Sequence, residues 1–77
     1  MKSDIQEWHG RLVAAMRQRH ELDPKRFSAK LFEANCQAAA SMLEAGWLGV
    51  IRNFAIQEEA MLARRTTRET SAREEYL

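Results

Sequence analysis

Residues 27–61 read FSAKLFEANCQAAASMLEAGWLGVIRNFAIQEEAM, and the apolar spacing of this stretch decides the fold. Over its first half, apolar residues recur at helical intervals on two sides. Phe27, Leu31, Ala34, Ala38, Met42 and Ala45 line one face; Phe32, Cys36, Ala39 and Leu43 line another, roughly 130° away at the helical period. Lys30, Glu33, Gln37 and Glu44 take the polar remainder. A helix that is apolar on two sides sits between two neighbours, and its many alanines let those neighbours come close.

Two chain paths are open at Gly46. In the first, Gly46 ends the helix as a left-handed cap, Trp47 folds back toward Met42, and a third helix runs from about Leu48 into the Arg64 region. In the second, the helix continues, because Phe32, Cys36, Ala39, Leu43, Trp47, Val50, Phe54, Glu58 and Met61 repeat with an ~11-residue rhythm. Two glycines, Gly46 and Gly49, oppose continuity at about 1 kcal/mol each. The lack of a Ser, Thr, Asp or Asn cap near Leu48 opposes a break. The break is preferred, since helices of forty residues are uncommon in compact domains.

Upstream, Ser3 and Gln6 have the form of a capping box that opens an amphipathic helix over roughly residues 4–21. Ile5, Trp8, Leu12 and Met16 form its apolar stripe, while Glu7, Arg11, Gln18 and Glu21 lie opposite. Pro24 requires that helix to stop. Asp23 is expected to cap the next helix, with Pro24 in its first position. After Arg65 the apolar rhythm fades, so residues 1–65 read as one helical domain and residues 66–77 as a polar C-terminal extension.

A chain of 77 residues hides a small share of its surface. Self-association or a protein partner is therefore expected. One cysteine, Cys36, excludes an intramolecular disulfide, and no apolar run approaches the ~20 residues of a membrane span. Asp4 and Glu7 interrupt the N-terminal stretch where a cleavable signal would lie, so a reducing, cytoplasmic setting is expected. Arginine outnumbers lysine and alanine is abundant, a bias associated with GC-rich bacterial, plasmid or phage genomes.

Motifs for chemistry are missing. His9 and His20 would stand about 16 Å apart along one helix and cannot share a metal ion; both read as half-buried or interface histidines. Cys36 lies among Phe32, Ala39 and Leu43, surroundings that keep a thiol inert. No phosphate loop, serine elbow or zinc-binding histidine motif occurs. Neither a catalytic residue nor a cofactor is expected.

Glu58 stands out, because a helix would place it on an apolar face with Trp47, Ile51, Phe54 and Met61, where an unpaired carboxylate is costly. Either the edge of the core is wet there, or Arg65, one heptad on, covers it, or it faces a cation of a partner. In an up-down-up bundle, Arg17, Arg19, His20, Lys25, Arg26, Arg64, Arg65 and Arg68 would gather at one pole, diluted by nearby acids. On the long-helix path Arg26 and Arg64 would lie about 57 Å apart, and the pole vanishes. A helix-turn-helix with Gly46 in its turn fails, because the following helix would present Trp47, Val50, Ile51 and Phe54 to base edges.

The expected fold is all-α: a small three-helix bundle, or a helical hairpin whose long second helix dimerises. The expected function is non-enzymatic binding of another protein, as a regulatory or inhibitory module that self-associates. Its interface would use Phe32, Cys36, Leu43, Trp47, Val50, Phe54 and Glu58. The competing expectation is nucleic-acid binding through Arg17, Arg19, Arg26, Arg64, Arg65 and Arg68.

Overall fold

Ser3 opens the first helix with an extended backbone, and its amide donates to Gln6 Oε1 at 3.3 Å. Helix α1 (Asp4–Leu22) follows. A computed structural model describes residues 3–75 of the chain, with side chains described through residue 65. It contains two further helices, α2 (Ala29–Ala45) and α3 (Leu48–Glu75), packed with α1 into an all-helical bundle; the described residues contain no strand.

Helix α1 stops before Pro24, yet α2 does not start there. Pro24, Lys25 and Arg26 form a turn in which the Arg26 amide donates to Asp23 Oδ1 at 3.3 Å and the Phe27 amide donates to the Asp23 carbonyl at 2.9 Å. Asp23 therefore caps a single turn, and the expected helix start at Pro24 is corrected to Ala29. Ser28 is the effective cap, accepting from the Leu31 amide at 3.3 Å. The reason is apolar. With Ser28 as cap, Phe27 precedes the helix and Phe32 falls in its second turn, the two positions of a hydrophobic staple. Their rings meet edge to face at 6.4 Å, and Phe27 is buried. His20 Nδ1 lies 2.7 Å from the Phe27 carbonyl, satisfying it at the bend, and the His20 ring stacks on Phe32 at 5.9 Å.

At the other end of α2, the chain breaks at Gly46. Its φ of 74° and ψ of 26° are left-handed, a conformation that favours glycine. The Trp47 amide donates to the Met42 carbonyl at 3.0 Å and the Gly46 amide to the Leu43 carbonyl at 3.1 Å. These two bonds define a Schellman cap. Trp47 alone separates it from α3, so α2 and α3 are joined almost without a loop. One continuous helix through Gly46 is thereby replaced by two.

Leu12, Ala15 and Met16 of α1, Phe27 of the turn, Ala39 of α2, and Ile51 and Ala55 of α3 are buried. Ile51 and Ala55 have no exposed surface at all. Helix α1 makes its widest contact with α3 and a smaller one with α2, while α2 and α3 touch least. Arg11 of α1 meets Glu59 of α3, and Leu22 at the end of α1 meets Arg65, so α1 and α3 point the same way. The order is up, down, up.

Candidate functional site

Because α2 and α3 both lean on α1 and little on each other, a cleft remains between them. Its volume is about 110 Å³. Leu12 and Met16 of α1 form its floor; Asn35, Ala38, Ala39 and Met42 form one wall, and Phe54 and Glu58 the other. Apolar surface continues along both rims. On α2, Leu31 is 47% exposed; Trp47 just before α3, and Val50, Phe54 and Met61 on it, are 57%, 39%, 44% and 42% exposed. Spacings of three and four residues put Trp47, Val50, Phe54, Glu58 and Met61 on one side of α3, and Leu31, Asn35, Ala38 and Met42 on one side of α2.

The expected interface residues thus divide. Trp47, Val50 and Phe54 lie on the open rim. Phe32, Cys36 and Leu43 are partly buried and pack against the chain's own core. Of the two apolar faces of α2, the one beginning at Phe32 turns inward, and the one containing Leu31 and Ala38 borders the cleft, with Met42 and Ala39 at the boundary, both lining the cleft and joining the core. The staple around Ser28 sets this choice: once Phe27 is buried and holds Phe32 beside it, the rotation of α2 is fixed. Leu31, Ala38, Met42 and Met61 are therefore site residues that periodicity alone did not single out. The Phe27-Ser28-Phe32 spacing was the available signal.

Glu58 is held within the chain. Arg19 Nη1 donates to its Oε1 at 3.0 Å, and the Arg19 guanidinium also lies 4.4 Å from the centre of the Phe27 ring. The Glu58 side chain is only 15% exposed, and its Oε2 is buried without a hydrogen-bond partner. Of the alternatives open for this carboxylate, cover by Arg65 is replaced by cover from Arg19. Arg65 reaches the end of α1 instead, donating to the Leu22 carbonyl at 3.3 Å and lying 3.8 Å from Asp23 Oδ2. A cation at a helix C-terminus satisfies one of its open carbonyls and complements its dipole.

The arginines separate by role as well. Asp23, Arg26, Met61, Arg64 and Arg65 line one shallow concavity where the end of α1, the turn before α2 and the outer part of α3 converge. Arg26 is 91% exposed, with only a loose contact of 3.9 Å to Asp23, and Arg64 is exposed. Arg19 is committed to Glu58. Arg17 is exposed on α1 outside this concavity, and the side chain of Arg68 lies outside the described residues.

No family model, curated sequence or solved structure matches this chain. Its chemistry rests on its own geometry. Among the described residues, no three His, Cys, Asp or Glu side chains gather as a metal-holding group. His9 and His20 are half-buried on α1, and His20 is occupied with the Phe27 carbonyl. No helix among the described residues is long and apolar enough to cross a membrane.

Proposed function

We propose that this chain is a non-enzymatic helical module that binds another protein along the groove between α2 and α3, serving as a regulatory or inhibitory component in the cytoplasm. The observation that carries the reading is the exposed strip of Leu31, Trp47, Val50, Phe54 and Met61 beside a preformed cleft. Scattered exposed apolar residues are ordinary, whereas a contiguous set with large side chains marks an interaction surface. Trp47 and Phe54 are of the kind that anchor interfaces, since a rigid ring removes much apolar area from water at little entropic cost. The cleft supplies a concavity of about 110 Å³, room for one apolar side chain of a partner. A bacterial, plasmid or phage origin belongs to the same proposal and rests on composition alone.

The test is capture from a bacterial lysate with the tagged full chain, with and without nuclease, beside the Phe54→Glu variant. A discrete protein retained through nuclease treatment and lost with Phe54→Glu is the expected result. Capture that is indifferent to Phe54→Glu would remove the groove from the proposal. A second copy of the chain would also cover the strip, and sedimentation equilibrium separates that case by mass.

A second reading, contact with nucleic-acid phosphates, has Arg26, Arg64 and Arg65 together in its favour. Asp23 in the same concavity and Glu58 on Arg19 count against it. Recovery that disappears with nuclease would move the assignment there.

A further inference from the structure

The groove and the basic concavity follow one another along α3, with Met61 placed between the Phe54 and Glu58 wall of the first and the Arg64 and Arg65 lining of the second. Met61 lines the concavity with Arg26, Arg64 and Arg65. It also stands one helical turn beyond Glu58 on the side of α3 that borders the cleft, in line with Phe54 and Trp47. Along this surface the charge is uneven. In the middle, Glu58 is neutralised by Arg19, and the rims beside it carry Asn35, Ala38, Met42 and Phe54. At the Met61 end, the described side chains lining the concavity are three guanidinium groups and one carboxylate, Asp23, beside Met61 itself. Arg65 is tied to the end of α1, so of the described arginines lining this concavity the ones open to an incoming group are Arg26 and Arg64.

We infer that the occupant of the groove is an amphipathic helix of a partner protein with acidic side chains at one end, its apolar stripe lying between α2 and α3 and its acidic end over Arg26 and Arg64. This deepens the protein-binding reading and rests on it. Three features of the surface set the occupant's chemistry. Trp47 to Met61 covers about 21 Å of helix axis, so the matching stripe is about four turns long, with apolar residues every three or four positions. Helices α2 and α3 splay over α1, and a helix laid between them completes a four-helix bundle. The net positive end calls for carboxylates, and charges at the rim of an apolar groove select partner and orientation. A second copy offers a poorer fit. The matching stripe of its own α3 is apolar from Trp47 to Val50 and runs into Arg64 and Arg65 at the other end, so it would set arginine against the basic end in a parallel arrangement and an uncharged end there in an antiparallel one. A nucleic acid would use the arginines and leave the apolar strip uncovered.

The experiment uses fluorescence anisotropy with the full chain and two labelled synthetic helical peptides of about 18 residues. Both carry leucine at alternating spacings of three and four; one ends in three glutamates and the other has lysines in their place. The expected result is binding of the glutamate peptide at least tenfold tighter than the lysine peptide. Arg26→Glu combined with Arg64→Glu should reverse that order, and Phe54→Glu should abolish binding of both. All three positions are exposed, and unchanged circular dichroism verifies that the variants keep their helices. Equal affinity for the two peptides, with the dependence on Phe54 intact, would overturn the acidic-ended occupant and leave the docking reading standing. Binding indifferent to Phe54→Glu would overturn both. A dimer by sedimentation equilibrium that Phe54→Glu converts to monomer would give the groove to a second copy and overturn the inference likewise.

Discussion

The seam between α1 and α3 and the seam between α2 and α3 are built from similar residues and end in opposite states. The first is closely packed at its centre: Ile51 and Ala55 have no exposed surface, Leu12, Ala15 and Met16 are buried, and ion pairs bridge its edges, with a shallow concavity of about 190 Å³ left along the Arg11–Glu59 edge. The second is open, with Phe54, Val50 and Leu31 in contact with water. The difference comes from geometry rather than hydrophobicity. A Schellman cap followed by a single residue turns the chain so abruptly that α2 and α3 meet near Gly46 and have α1, not each other, to pack against. Chain neighbours in sequence are thus the loosest neighbours in space.

That contrast can be broken by measurement. Ile51→Ala should cost about 3–4 kcal/mol in urea unfolding, as for a large side chain removed from a closed core, whereas Phe54→Ala should cost about 1 kcal/mol or less. Equal costs would mean that the second seam is as closed as the first. Gly46→Ala should cost about 1–2 kcal/mol, since a side chain must then adopt the left-handed conformation that the turn requires, although an added Cβ would meet nothing within 4 Å. A negligible loss would show that the turn opens easily and that the splay of α2 and α3 is not set by the cap. The smallest effects belong to the edges. Double-mutant cycles should give a coupling of about 1 kcal/mol for Arg19 with the mostly buried Glu58, and about 0.5 kcal/mol for Arg11 with the more exposed Glu59. A reversed order would place the stronger clamp at the other edge of α3.

Much of this arrangement was legible in the residues. The Ser3 capping box, the stop before Pro24 and the helical character of the chain follow from local rules whose determinants lie within a few positions of one another; at Gly46 local signals point both ways, and helix length favours the break. The rotation of α2 did not follow, because both of its faces are apolar and periodicity ranks them equally. What decided it was a contact between Phe27 and Phe32 across the helix start, which depended on Ser28 rather than Asp23 acting as the cap. Asp23 and Ser28 are both good caps, so cap preference could not choose between them; the burial of Phe27 did. Glu58 shows the same limit. That it needed a cation was evident from its place on an apolar face, but Arg65 on its own helix was the local candidate, and Arg19 came from another helix. Within the candidate site, Trp47, Val50 and Phe54 were visible as apolar residues in excess. Leu31 and Met61 became site residues only through packing.

The ion pairs across the seam between α1 and α3 have a consequence for the order in which the protein assembles. Arg11 reaches a partner 48 residues away and Arg19 one 39 residues away, while Arg65 ties back to Leu22 across 43. Loops of 39 to 48 residues, more than half of the chain, must therefore close before the best-packed surface can form, and closing such a loop is an entropic cost incurred before the contacts repay it. During synthesis, α1 leaves the ribosome first and has only the smaller surface of α2 to rest on. Its principal docking site, the Ile51 to Leu62 stretch of α3, is among the last parts of the described chain to be made.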